Sequence, residues 1–374
     1  CSSMWRPRMS KAAELAALIG SGQAQGNRNL WINGACNVAQ RSTSVTGLGD
    51  GNEGYVTVDR MRESGGTASA GRYTSKQTAI TDLPGFANCF HVNCTTADTS
   101  IAAGELLFFG TRLEGQDLQR LAKGTSSAEP ITISWYMKTN KAFTFVLEVK
   151  DIDNTRDIQQ KFTTTTDWTR HSLTFVADTT GALDDDNARS LDIHIWVHAG
   201  STYSGGTFTS NTWSSVTNAN RAVGIGSFYD STDNDLKMTG FQVEIGEVAT
   251  PFEHEDFGTT LAKCQRYYNK TGADAAYSML GVGFTQTTRY AKAQVFFPVE
   301  MRSAPTLGQS ANNTFSVFSA AASPAFNADA AINNPTTHST NITCDVSSGL
   351  TAGQGMTVMA NNSTAAFFEF IAEL

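Results

Sequence analysis

Two stretches of strict period-two alternation constrain this chain more than any other feature. In 131–137, Ile131, Ile133 and Trp135 fall on one face, and in 143–149 Phe143, Phe145, Leu147 and Val149 do the same. Such alternation belongs to strands with one face on a core and the other toward water. Thr139, Asn140 and Lys141 between them predict a hairpin turn. Trp168, His171, Leu173, Phe175 and the run 191–197 continue the pattern, and shorter apolar runs at 29–40, 55–59, 86–92 and 106–109 precede it. Leu118 and Leu121, three apart before Gly124, suggest one helical turn. Many short strands with polar turns at near-regular spacing predict an all-β chain whose main body is a jelly-roll β-sandwich.

The stretch 241–268, FQVEIGEVATPFEHEDFGTTLAKCQRYY, ends that body. Phe241, Val243 and Ile245 alternate with Gln242, Glu244 and Gly246, predicting a last strand with one wet face. Pro251 lacks an N–H and should take the chain out of the sheet. Asp256 or Thr259 can cap a short connector helix that places Leu261, Cys264 and Tyr268 on one face, to pack a second domain or a trimer interface. The expected organisation is an N-terminal attachment helix and linker at 1–26, the sandwich at 27–255, the connector at 256–272 and a smaller C-terminal β domain at 273–374. In the first segment Ala13, Leu15, Leu18 and Ile19 form an apolar stripe between a Ser10 cap and Gly20. A helix that short needs a docking surface, either a neighbouring protein or its own domain. The octet CSSMWRPR before Met9 reads either as an upstream extension or as a foreign remnant of expression. Residues 306–374 are rich in Ala, Asn, Ser and Thr. Strands so weakly apolar are expected to need a subunit interface to complete their core.

The formal charge of −8 leaves no basic footprint for nucleic acid or an anionic membrane surface. No apolar run reaches the roughly 18 residues that span a bilayer. The six cysteines lack the paired spacing of a zinc site. Cys89 and Cys94, the one close pair, could form a local disulfide or half a metal site, but ordinary buried thiols fit better. His194 and His198, four apart on a strand, stand roughly 13 Å apart and cannot share a metal without a bend; a half-exposed face is expected. Asp184, Asp185, Asp186 and Asn187, and Asp230, Asp233 and Asp235, offer calcium-type oxygens, yet they match no EF-hand and read as turn acids. No nucleophile elbow, phosphate loop or zincin helix is present, and no metal or cofactor is expected. A glycosidase needs two carboxylates across a cleft, and the sequence singles out no such pair. The most binding-like stretch runs from Trp196 through Tyr203, Phe208 and Trp213. Flat aromatics beside Ser, Gly and Asn suit sugar faces, although Trp196, inside a strand, belongs to the core.

Several blocks together resemble phage tail-fibre and related virion appendage proteins. They are RNLWINGACNVAQRST, YVTVDRM, LEGQDLQRL, ITISWYMK, the 241–268 stretch and PVEMRSAPTL, in that order from Arg28 to Leu307. Family members commonly carry Trp where this chain has Met61. The resemblance implies a carbohydrate-module-like jelly roll, homotrimeric assembly and a place on a virion built in the host cytoplasm. It offers no catalytic motif. The expectation is a non-enzymatic tail fibre or receptor-binding appendage that contacts host surface glycan and other virion proteins through its N-terminal segment. A capsid decoration or adaptor protein is the first alternative, and a polysaccharide-degrading enzyme the second.

Overall fold

A computed structural model describes residues 28–374 except 52, 67, 68 and 321. The expected attachment residues Leu15, Leu18 and Ile19 lie outside the described residues. The fold is all-β: a jelly-roll sandwich, a short connector helix and a smaller C-terminal β domain. One sandwich sheet runs Ser44–Leu48, Arg72–Ala79, Asn88–Thr96, Asp235–Ile245, Ile131–Thr139, Thr169–Phe175. The other runs Ser214–Ser215, Arg156–Thr163, Thr144–Asp151, Arg189–Ala199, Leu106–Glu114, Arg62–Gly65, Glu53–Tyr55. All pairings between these strands are antiparallel.

The hairpin expected at Thr139–Lys141 does not form. Ile131–Thr139 pairs with Thr169–Phe175 and Asp235–Ile245, whereas Thr144–Asp151 sits in the opposite sheet. Alternation reveals which residues face the core, and Ile133, Trp135, Phe145 and Leu147 all do, from opposite sides. It cannot tell which sheet a strand joins. The last strand also differs from expectation: it ends at Ile245, before Gly246 with its positive φ of 114°, rather than at Pro251. Its supposedly wet residues Gln242 and Glu244 are buried, because the returning segment covers them: Thr250 donates N–H and hydroxyl to Glu244 at 3.0 and 2.5 Å. In place of one helical turn, two short 3-10 turns, Gly115–Asp117 and Gln119–Leu121, flank Leu118, and both Leu118 and Leu121 are buried.

Asp256 caps the connector helix Phe257–Gln265 by accepting the Thr259 N–H at 2.9 Å. The helix stops before Tyr268, which opens the strand Tyr268–Gly272 instead of continuing the Leu261–Cys264 face. That strand joins Phe367–Ile371 and Thr306–Gln309 in a three-stranded sheet. A six-stranded sheet packs on it, ordered Phe315–Ser319, Gly355–Ala360, Met279–Thr285, Tyr290–Phe296, Ser339–Asp345, Ala331–Asn333. Contrary to the composition-based expectation, this domain closes a core of its own. Phe315 stacks on Phe368 at 4.6 Å and on Phe326 at 5.1 Å, surrounded by Val317, Met301, Ile342 and Val358. A few large rings fill the space that the many alanines leave.

Candidate functional site

The seven-stranded sheet turns its second face away from the core, and that face is charged. Register places Arg62, Gly110, His194, Glu148 and Gln159 in one row and Arg112, Asp192, Lys150 and Asp157 in the next. A third row holds Ser64, Phe108, Trp196, Val146 and Lys161. The chain from 200 to 226 folds back over this face. From it Arg221 reaches down to grip the buried Glu148, Nε to Oε1 at 2.6 Å and Nη2 to Oε2 at 2.8 Å. Trp196 Nε1 donates to the same carboxylate at 2.9 Å, and His194 Nδ1 lies 3.0 Å from it. His194 Nε2 stands 3.2 Å from Asp192, which Arg189 also pairs.

Burial by itself would raise the Glu148 pKa, but the Arg221 charge and the His194 hydrogen bond outweigh it and hold the carboxyl well below its usual range. Asp192 is held low in the same manner, against burial, by His194 and Arg189. Asp157 is the exception: burial pushes it up to about 6, and neighbouring Glu148 adds to the effect. A small apolar cluster of Phe108, Val146, Trp196 and Ala222 seals the network from water.

The expected ligand residues do not converge. Tyr203 tilts over Trp196 at 5.5 Å, and Phe208 sits beneath Lys161 Nζ at 4.2 Å, both half-buried in the covering segment. Trp213 packs instead against the sandwich core, donates to the Val176 carbonyl at 2.8 Å and faces Lys123. Trp196 is fully buried, as expected, but in the outer-face cluster. His194 and His198 are both buried, not half-exposed; a bulge between Trp196 and His198 sends His198 to Glu105 at 3.0 Å. The acids at 184–186 are exposed, while Asp230 pairs Lys141 and Asp235 lies 2.6 Å from His91. Among the described residues the cysteines are free and buried, and no cluster of three metal-ligating side chains occurs. No described helix is long and apolar enough to cross a membrane.

A second constellation joins the domains. Cys264 and Tyr268 are buried there and Leu261 is half-buried. Burial lifts the Cys264 thiol well above its ordinary value, which suits a packing residue rather than a nucleophile. The contacts around them are largely polar. Arg60, 1% exposed, stacks on Tyr267 at 3.6 Å, pairs with Glu373 and donates to the Arg112 carbonyl at 2.7 Å. Arg41 stacks on Tyr268 at 3.6 Å and bonds Glu373 at 2.8 Å. Glu114 accepts from Arg266 at 2.8 Å and from the Tyr267 hydroxyl at 2.5 Å. Beside this junction lies a cleft of about 450 Å³ lined by Asn29, Leu30, Ile32, Gln116, Asp117, Gln119, Arg120, Lys263, Arg266 and Tyr267.

Sequence reasoning missed Glu148, Asp192 and Arg221. The first two stand at alternate positions of strands, where a charge reads as solvated, and nothing local marks Arg221 as their partner.

No protein-family model matches the chain, and no curated protein matches it. Solved structures are similar to it over part of its length. The family 11 carbohydrate-binding module of cellulosomal cellulase Lic26A-Cel5E of Clostridium thermocellum is 15% identical, covering 57% of this chain and 100% of that one, with a TM-score of 0.25. The CBM22-1 xylan-binding domain of Paenibacillus barcinonensis Xyn10C is 11% identical over 47% of this chain and 83% of its own, TM-score 0.24. The enzymatically active domain of tailspike protein 4 of bacteriophage CBA120 is 9% identical; the match spans 58% of this chain and 21% of that one, TM-score 0.29.

Proposed function

We propose that the chain is a non-enzymatic structural protein of a tailed phage, a tail fibre or receptor-binding appendage, that assembles as a homotrimer and contacts host surface glycan. The observation that carries this reading is the outer face of the six-stranded C-terminal sheet. Met279, Val282, Phe284, Phe296 and Phe318 stand there 52% to 76% exposed, although the domain's own core is closed beneath them. Val282 and Phe318 lie in one row across the sheet, separated only by Thr357. A contiguous apolar face of this kind marks an interaction site, and a second copy of the chain is the partner it suits. The apolar side chains share the face with Lys292, which lies opposite Phe284, and with the neutral Gln294 and Thr357; the face is repeated on every copy, so a symmetric ring would bury it. The motif blocks in order from Arg28 to Leu307 support the phage reading, and its place is the virion, assembled in the host cytoplasm.

For glycan, the cleft at the connector is the better-formed surface, since its lining combines the amides of Asn29, Gln116 and Gln119 and the charges of Asp117, Arg120 and Arg266 with the apolar Leu30, Ile32 and Tyr267. Three such clefts in one assembly would multiply a weak affinity.

Light scattering of the purified chain at micromolar concentration tests the assembly. A trimer that Val282→Lys with Phe284→Lys converts to monomer is the expected outcome, and a monomeric parent chain would overturn the reading. Labelling on intact particles separates a fibre from a capsid decoration or adaptor protein.

A further inference from the structure

Lys123 is buried, and its surroundings differ from those of an ordinary salt bridge. Its Nζ lies 2.5 Å from Asp151 Oδ2, 3.1 Å from Asp178 Oδ2, and 2.8 and 2.9 Å from the carbonyl oxygens of Thr180 and Gly181. Four oxygens converge on an ammonium that has three protons to give. Two carboxylates and two successive carbonyls form the donor set that hard cations take.

The cage is held from outside. Arg156 Nε donates to Asp178 at 2.8 Å, and Asn154 binds both Asp151, through its backbone and side chain at 3.0 Å, and the Ala182 carbonyl at 2.8 Å. Gly181 has a positive φ of 73°, and a Cβ there would fall 2.4 Å from the Asn154 amide. On the other side Ala122 and Gly124, at φ 45° and 81°, bend the chain so that Lys123 points inward. Ala122 occupies left-handed space that few non-glycine residues adopt, which is what a backbone shaped around the position of one charge requires.

We propose that this cage is a hard-cation site in which the Lys123 ammonium stands where a calcium ion would, and that cutting the side chain back opens a calcium site in its place. Asp151 Oδ2 already stands at a calcium distance, and the other three oxygens need to close in by about 0.2–0.5 Å to reach the roughly 2.3–2.6 Å that calcium prefers. Water in the space left by the lysine stem completes the coordination. Magnesium demands a shorter, near-ideal octahedron and fits less well. The inference is independent of the assembly reading.

The test uses the full chain with Lys123→Ala and Lys123→Met. Thermal unfolding of the parent should not respond to calcium or to a chelator. Lys123→Ala should melt lower, and saturating calcium should raise its midpoint by roughly 5 °C or more, with little effect of magnesium. Lys123→Met, whose stem still fills the position, should be destabilised without calcium rescue. Terbium supplies a positional readout, because the Trp213 ring centre lies 5.3 Å from Nζ. Terbium bound to Lys123→Ala should luminesce on tryptophan excitation and dim in the Lys123→Ala, Trp213→Phe double variant. A Lys123→Ala protein that ignores calcium, or is not recovered folded with or without it, overturns the proposal, as does rescue of both variants alike.

Discussion

Replacing Arg221 by methionine removes the cation that holds Glu148 while keeping most of the side chain's length. Glu148 is fully buried and would retain only the Trp196 N–H at 2.9 Å and the His194 contact at 3.0 Å. Breaking one side of a buried ion pair costs about 3–5 kcal/mol. Because two partners remain, the lower end, about 3 kcal/mol, is expected. The double variant Arg221→Met, Glu148→Gln removes both charges and should recover much of that loss, giving a coupling of about 2 kcal/mol. Urea denaturation of the parent, two single and one double variant measures the cycle, and limited proteolysis should cut the 200–226 segment faster in Arg221→Met. The pH dependence adds a signed check. In the parent the folded Glu148 pKa lies below its ordinary 4.5, so its stabilisation is present above that value and is lost as the pH falls toward the folded pKa. Without Arg221, burial dominates and raises the folded pKa above 4.5, so the sign reverses: Arg221→Met should gain stability as the pH falls through that raised pKa toward 4.5, the range below which the parent begins to lose it. A single-variant cost under about 1 kcal/mol, or strictly additive effects, would refute the claim that Arg221 pins the covering segment through this carboxylate.

Two further outcomes follow from other buried charges. Glu63 lies inside the sandwich, accepting from the Tyr73 and Ser75 hydroxyls at 2.9 and 2.6 Å, and burial lifts its carboxyl from 4.5 to about 7. A raised folded pKa means stability that is full below 4.5 and lost as the pH rises through 7. Glu63→Gln should therefore gain on the parent by up to about 3 kcal/mol above pH 7, the gain vanishing near pH 4.5 in a pH series of denaturant melts; a parent that gains on the variant as pH rises contradicts it. Arg60→Ala leaves Glu373 and the Tyr267 ring without their shared cation and should cost about 3 kcal/mol of domain docking. Calorimetry should then resolve two transitions where the parent gives one, and an unchanged single transition would show that the junction does not couple the domains.

The sandwich was legible because period two reports burial directly. Ile133, Trp135, Phe145, Leu147, Phe241 and Val243 were all expected inward and all lie in the core. Pairing was not legible: strands from facing sheets present the same pattern, so the 139–141 corner looked like a hairpin turn. The connector was half legible. Asp256 caps a helix as its sequence promises, yet the pairing of Tyr268 with Ile371, across 103 positions of sequence, decides that this residue is in a strand. The candidate site was the least legible part. Tyr203, Phe208 and Trp213 were grouped because they are close in sequence, but the segment that carries them crosses from the outer face to the core edge between Phe208 and Trp213.

The second face of each sheet is where the two domains diverge. Alternation predicts water on the face away from the core, and in neither domain is that face simply solvated. In the sandwich, Glu148, Asp192 and His194 occupy it and are buried by a covering segment from the same chain, so the ion pairs are satisfied within one copy. In the C-terminal domain, Val282, Phe284 and Phe318 occupy it and nothing from the same chain covers them among the described residues. Polar groups taken out of water require partners at fixed distances, and a segment of the same chain can provide them at any concentration. Apolar surface requires only contact, which another copy can provide once concentration suffices. The sandwich thus satisfies the directional interactions of its second face within one copy, and the C-terminal domain leaves non-directional ones outward. If the proposed assembly buries that face, lysines at Val282 and Phe284 should abolish association without lowering the melting temperature of the monomer.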